Sequence, residues 1–349
     1  MNQSPPVLDE PDVLNELVVL DLGLGMSAAL VSKFLGEAGA TVKRLEPEEG
    51  DPFYSIYPAY EIWQSGKEIR KASGSDPHIP EDWLDSADIC IVGGEDYPGL
   101  DWTFRAEALS ERYPRLIVLD LQASPPVEGE EPLPANDLLA QARAGLSHEH
   151  YSDRPVAFNF KAPTFGAVYN GIAGVFAALI AREASGRGQV VSTSLVEGAL
   201  DACRSSWFRA AKPDLPFMAM VPKDTRMTIF KCKDGEYVHQ MMGTPGAKQR
   251  FYDLLGLNAD EVTDTLDDRG MPTGRGDISM FWGDIDAFAR PISEWTSTEF
   301  IALLQENDFP CVRVSQPGEC WDLPQTVHNR IIKTDEQGTQ YVGFPIKGL

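Results

Sequence analysis

The stretch Phe165–Leu200 reads FGAVYNGIAGVFAALIAREASGRGQVVSTSLVEGAL, and its layout decides the fold. Its first half is apolar and rich in small residues, with Gly166, Ala167, Gly171, Ala173, Gly174, Ala177 and Ala178, and reads as a helix. A glycine inside a helix costs about 1 kcal/mol against alanine, so close approach of another backbone or of a ligand must offset it. The helix stops at Ser185-Gly186-Arg187-Gly188-Gln189, Val190–Leu195 reads as a strand, and a second helix begins at Val196. Helix, tight turn, buried strand and helix belong to an α/β protein.

Toward the N-terminus the same alternation recurs. Residues 1 to 16 are a Pro-rich, acidic lead-in. Leu17–Leu22 has the pattern of a buried strand, and Met26–Glu37 follows as a helix with Ala28, Leu30, Val31, Phe34 and Leu35 at helical spacing. Gly39 ends it and Thr41–Leu45 is the next strand, a βαβ start that implies a parallel sheet. Gly23-x-Gly25-x-x-Ala28, with Glu46 about twenty residues on, imitates a dinucleotide fingerprint and keeps a nicotinamide-dependent Rossmann enzyme open as an alternative. Toward the C-terminus, residues 204–226 are irregular and Met227–Val238 reads as a hairpin turning at Lys233-Asp234-Gly235. Lys248–Leu257 reads as a helix, and Thr296 and Glu299 form a capping box ahead of Phe300, Leu303 and Leu304. Arg275-Gly276-Asp277 spells an adhesion tripeptide by chance.

The 349 residues exceed one ordinary domain, and 43% hydrophobic with 24% charged residues fits a soluble globular enzyme. A net charge of −23 argues against nonspecific nucleic-acid or anionic-membrane partners, so an anionic ligand would need a local basic pocket. Cys90, Cys203, Cys232, Cys311 and Cys320 lie far apart without a C-x-x-C, which favours reduced thiols and a cytoplasmic location. The opening MNQSPPVLDEPD lacks the regions of a signal peptide. Phe165–Ile180 is too short to span a bilayer and contains Asn170. His148-Glu149-His150 sits in a polar loop without a third ligand, so no metal site is expected. His239 reads as structural, and His78 and His328 as exposed.

G-V-F-A-A-L-x-x-R-x-x-S-G-R-G-Q-V-V, at Gly174–Val191, resembles the signature of the class III CoA-transferases. That family includes formyl-CoA and carnitine CoA-transferases and the α-methylacyl-CoA racemases. The opening V-V-L-D-L … L-G-E-A-G-A-T-V-K-R-L-E-P … G-D-P resembles the family's opening, and Asn136–Ala142 its Y-D-x-x-x-Q-A segment. The Met227–Val238 hairpin and the tail at Gly343–Ile346 also have counterparts. The resemblance implies a Rossmann-like large domain that binds CoA, residues 1–210 with 316–349, and a smaller α+β domain at 225–315. It also implies an interlocked dimer of two ring-like protomers.

Moving CoA between carboxylic acids needs a nucleophile that can become an anhydride and then a thioester, and a carboxylate does both. The resemblance places that Asp ahead of the small-residue helix, at Pro163, or at Thr164 with a one-residue slip. Neither side chain forms an acyl anhydride. The racemases' proton shuttle falls on Asn136, Pro163 and the neighbourhood of Thr244. The remaining catalytic candidates are Asp137, Asn159 and Thr164, with a cap or dimer-contact role as the other reading of Asp137. For CoA, the Gly23–Ser27 turn, with Gly23 and Gly25, is expected to point backbone N–H groups outward at a phosphate. Lys43, Arg44 and Lys67 stand where relatives place basic residues, and Gly93 ends the Ala87–Val92 strand where relatives contact CoA. A Gly-rich lid is not visible between Pro213 and Thr228.

CoA or acyl-CoA is thus expected as substrate, with no permanent cofactor. Three family readings stay open. They are a CoA-transferase with a displaced carboxylate, a catalytically impaired CoA-binding subunit paired with an Asp-bearing paralogue, and an acyl-CoA racemase or isomerase.

Overall fold

The structure is a computed structural model that describes residues 13–72, 78–125, 127–148, 154–204, 228–260, 262–263, 266–271, 283–344 and 346. The chain divides into two compact units. The first comprises Met1–Leu146, Ala157–Ser205 and Asn329–Leu349; the second comprises Ser147–Val156 and Ser206–His328. The second therefore runs past the expected end at 315 and takes in a short segment ahead of Ala157. The expected features at Met218–Asp224, Arg275–Asp277 and Glu149-His150 lie outside the described residues.

The first unit is built on a six-stranded sheet of β1 (Val18–Asp21), β2 (Thr41–Glu46), β3 (Glu68–Lys71), β4 (Ile89–Gly93), β5 (Ile117–Gln122) and β6 (Val190–Ser194). The strands lie in the order β3-β2-β1-β4-β5-β6 and every pairing is parallel. Helices α1 (Gly25–Glu37), α2 (Tyr60–Gln64), α3 (Glu81–Ser86), α4 (Ala106–Arg112), α5 (Asp137–Ala144), α6 (Ala162–Ser185) and α7 (Leu195–Ala202) accompany it. Both faces of the central strands are apolar. Ile89 and Ile91 of β4 join Val31 and Leu35 of α1 and Val168, Ile172 and Val175 of α6 in one core. Cys90 and Val92 face the other way, onto a core with Trp83 and Leu84 of α3. Strands buried on both sides read as continuous hydrophobic runs, which is why the sequence discloses them. The strand order reverses between β1 and β4, and in open α/β sheets ligands bind beyond the carboxyl ends of the strands at that point.

The glycines of α6 are offset by neighbouring structure rather than by a ligand. A Cβ on Gly166 would lie 2.3 Å from the carbonyl oxygen of Gly198, one on Gly198 would lie 2.4 Å from that of Pro163, and one on Gly174 would lie 2.5 Å from Val191 Cγ1. Helices α6 and α7 thus cross backbone to backbone. The R-x-x-S-G-R-G-Q block closes the opposite end of the sheet. Arg182 is buried, reaching the Asp88 carboxylate at 3.1 Å and donating to the carbonyls of Asp88 and Arg115 at 3.3 and 3.2 Å. Gly186 ends α6 at φ 68°, and a Cβ on Gly188 would lie 2.1 Å from the Leu116 carbonyl oxygen. The family-like signature is a folding clamp.

Helix α6 is longer than expected, at 24 residues with an 18-residue stretch of mean hydropathy 1.6, so length and composition alone would let it cross a membrane. Packing replaces the length argument. Val168, Ile172 and Val175 lie in the core beside the sheet and α1, so one face of α6 is core-facing. Its other face leaves Tyr169, Ala173 and Ile180 exposed. The C-terminal hairpin, β10 (Ile332–Thr334) with β11 (Gln340–Val342), belongs to the same unit, and Phe344 packs on Phe34 at 4.9 Å between ring centroids.

The second unit carries the antiparallel sheet β7 (Ile229–Lys231), β8 (Tyr237–Gln240) and β9 (Cys311–Arg313), in that order. Helices α8 (Ala247–Leu255), α9 (Ile285–Ile292) and α10 (Ser297–Glu306) supply its core with Phe251, Tyr252, Phe288, Phe300 and Leu304. The expected turn forms, with Gly235 at φ 86°, and so does the Thr296–Glu299 capping box. His239 Nε2 lies 2.6 Å from the Thr228 hydroxyl, a structural contact, and His78 and His328 are exposed.

Candidate functional site

The turn between β1 and α1 lies at the switch point, but its N–H groups do not face outward. Gly23 donates to Asp21 Oδ1 at 3.2 Å and Leu24 to the Gly93 carbonyl at 3.0 Å. Gly25 donates to the Tyr60 hydroxyl at 3.1 Å and Met26 to Glu95 Oε1 at 2.8 Å. The N–H groups of Gly23, Leu24, Gly25 and Met26, expected to await a phosphate, are satisfied from within. The glycines answer to packing. A Cβ on Gly23 would lie 2.3 Å from that of Ala28, and one on Gly93 would lie 2.1 Å from the Leu121 carbonyl oxygen. A Cβ on Gly25, at φ +72°, would lie 2.6 Å from that of Glu95.

The basic residues are likewise drawn inward. Arg44 is fully buried and meets Asp21 Oδ2 at 2.9 Å, Glu46 Oε1 at 3.1 Å and the carboxylate of Asp51. Lys67 Nζ donates to Ser32 Oγ at 2.7 Å, Gln64 Oε1 at 2.6 Å and Asp21 Oδ2 at 3.2 Å. Burial pulls the Lys67 ammonium down to about 7, against the opposing attraction of Asp21. Burial alone would raise Asp21, but Arg44 and Lys67 outweigh it and hold the carboxyl below its ordinary range. Arg44 and Lys67 therefore form a charge network beneath α1 rather than a nucleotide-facing surface. Lys43 sits apart, with Nζ 3.0 Å from Ser86 Oγ and 6.0 Å from the Trp83 ring centroid.

At the start of α6 the structure joins two of the three catalytic candidates. Asn136 caps α5, accepting from Leu138 N–H at 3.0 Å. Lys161, the N-cap of α6, supplies no side-chain cap, and Pro163 occupies the first turn. Asp137 reaches across and completes the end of α6. Its Oδ2 accepts from the Thr164 N–H at 3.0 Å and hydroxyl at 2.7 Å, while Oδ1 accepts from Gln141 Nε2 at 2.7 Å. The residues are 2% and 1% exposed, so no thioester reaches either without the site opening. The cap reading of Asp137 holds, though the helix it caps is α6 rather than its own. Gln141 also holds the strap ahead of α6 through Phe158, and Asn159 on that strap is exposed and apart from the pair.

The sequence reading missed Glu95. This buried carboxylate accepts from the Met26 N–H through Oε1 and from the Tyr57 hydroxyl through Oε2 at 2.7 Å. Burial pushes its pKa up and Asp137 adds repulsion, against the pull of the two donors and of Lys161. Burial likewise raises the Tyr57 phenol, with Glu95 contributing. Glu95 borders a cavity of about 890 Å³ beyond the carboxyl ends of β4 and β5. Tyr97, Leu100, Trp102 and Phe104 supply apolar wall, and Asp96, Asp120, Glu130 and Glu131 supply carboxylates. Arg143 also lines it and is spent on Glu130 at 3.0 Å. An acid two residues past the end of a buried strand was the available signal.

The chain matches the model of CoA-transferase family III over residues 14–348. It is 24% identical to the (R)-2-hydroxy-4-methylpentanoate CoA-transferase of Clostridioides difficile, over 93% of this chain and 86% of that protein. It is also 24% identical to the formyl-CoA:oxalate CoA-transferase of Streptomyces coelicolor, over 96% and 88% of the two chains. Among solved structures it resembles Rv3272 from M. tuberculosis, with a TM-score of 0.73, 19% identity and coverage of 96% of this chain and 92% of that one. A CaiB/BaiF family protein from Brucella suis gives a TM-score of 0.70 at 19% identity, covering 95% and 91%. The protein belongs to CoA-transferase family III.

Proposed function

From that membership we propose that the chain acts on acyl-CoA thioesters, moving CoA between carboxylic acids, with no carboxylate at the nucleophile's position on α6. The observation that carries the second clause is the Asp137–Thr164 pair. The position the family resemblance gives to the nucleophile is Pro163 or Thr164, and Thr164 is buried and bonded to a buried Asp. The cavity beside Glu95 suits the uncharged part of the ligand. Its aromatic walls fit a pantetheine arm and acyl chain, whereas its carboxylates repel the phosphates of CoA. The nucleotide end therefore lies outside it. CoA enters as substrate, and no resident cofactor is invoked.

A second reading has a specific observation in its favour. The sealed Asp137–Thr164 pair also fits a binding subunit whose Asp-bearing paralogue performs the transfer. The racemase reading is weaker, because Asn136, at its shuttle position, is an N-cap. In either surviving reading we place the chain in the cytoplasm as part of a dimer, with the exposed apolar face of α6 covered by a second protomer. Isothermal calorimetry with CoA tests the ligand. The expected Kd is micromolar to millimolar, about −8 to −4 kcal/mol, and binding of NADH in place of CoA would refute the reading.

A further inference from the structure

We propose that Glu95 is the carboxylate that attacks the acyl-CoA thioester in this chain. The inference rests on the CoA-transferase reading above and asks which group replaces a carboxylate on α6.

Elimination among the described residues narrows the choice. Asp21 and Asp51 are committed to Arg44 beneath α1. Asp137 accepts three hydrogen bonds while bracing α6, and does not line the cavity. Of the carboxylates on the cavity wall, Asp96 accepts from the Ala135 N–H at 2.6 Å and Glu130 is paired with Arg143. Glu131 is exposed. Asp120 is half-buried and accepts from Gln122 Nε2. Glu95 differs from all of these. It is buried, borders the cavity, stands at the β1/β4 switch point, and receives two converging donors on separate oxygens. Desolvation makes an ionised carboxylate more basic and less encumbered by water, which favours attack.

The two donors divide the work. Oε2, held by the Tyr57 phenol, is the attacking oxygen. It adds to the thioester carbonyl, a C–O bond forms, the C–S bond breaks, and CoA leaves as the thiolate. The acyl-glutamyl anhydride keeps Oε1 as a carbonyl oxygen on the Met26 N–H, which polarises Cδ. The thiolate then attacks Cδ, and the first acid departs as its carboxylate, leaving a glutamyl-CoA thioester. The carboxylate of the accepting acid attacks that thioester and expels the thiolate again, forming a second anhydride. The thiolate finally attacks the acceptor's acyl carbon and frees Glu95. Charge and atoms balance without an oxidant or a net proton. Tyr57 is a positioning residue in this sequence.

The test incubates the full-length protein separately with succinyl-CoA, formyl-CoA and acetyl-CoA, quenches with borohydride or hydroxylamine, and maps the modified peptide by mass spectrometry. The expected result is a reduced carboxyl or a hydroxamate at Glu95 with at least one thioester, absent from Glu95→Gln and present in Glu183→Gln, whose exposed carboxylate lies outside the cavity. Circular dichroism and CoA calorimetry on Glu95→Gln confirm that the fold and ligand binding persist. Modification at Asp120 or Asp137, or none at all in a protein that binds CoA, would overturn the assignment while leaving the ligand reading intact. Failure of the wild-type protein to bind CoA would overturn both.

Discussion

Lys67 carries its ammonium into the interior, where Asp21, Ser32 and Gln64 surround it. Burial lowers its pKa from 10.5 to about 7, so between those values the unfolded chain binds the extra proton. The penalty is fully present below about pH 7 and is released as pH rises toward 10.5. Stability therefore climbs through that window, by up to about 1.4 kcal/mol per pH unit for this group. Lys67→Met should flatten the climb in urea denaturation at pH 7, 8 and 9 and leave CoA affinity within about twofold. An unchanged pH profile, or a large loss of CoA affinity, would contradict this placement. Thr164→Val removes one hydroxyl donor from Asp137 at nearly constant volume, and should cost about 1–3 kcal/mol in the same assay. At this scale the sequence was legible for residue type and misleading for environment. Arg44 and Lys67 read as basic groups suited to a nucleotide, but their three-dimensional neighbours are carboxylates brought in from Asp21, Glu46 and Asp51. Glu95 showed only its place two residues past a buried strand, because its donors come from α1 and from the segment ahead of α2.

Helices α6 and α7 cross with their backbones in contact at Gly166 and Gly198. Gly166→Ala gains about 1 kcal/mol of helix propensity. Its Cβ, however, would meet the Gly198 carbonyl oxygen at 2.3 Å, and overpacking costs about 1–3 kcal/mol. The prediction is net destabilisation, seen as a lower Tm, and a stabilised variant would show that the helices do not touch there. Most elements of the first unit were readable because strands buried on both faces leave unbroken apolar runs. Strand β3 was not, since Glu68-Ile69-Arg70-Lys71 is a charged sheet edge, the composition that protects an edge from unwanted pairing. The signature around Arg182 was visible as wording, but its clamp role depends on carbonyls of Asp88 and Arg115 that no spacing discloses.

For the molecule as a whole, α6 leaves Ile180 74% exposed on the same helix as Tyr169, an apolar surface that a second copy of the chain would cover. Light scattering at micromolar concentration should give twice the 38.4 kDa chain mass. Ile180→Glu should shift that value toward the monomer, and a wild-type monomer would refute self-assembly. The measurement that bears most directly on the central claim is calorimetric titration of the wild-type protein with CoA and succinyl-CoA, and in parallel with NADH. Saturable binding of the CoA ligands in the micromolar to millimolar range, about −8 to −4 kcal/mol, with no heat from NADH, is the expected result. Saturable NADH binding with no response to either CoA ligand would contradict it.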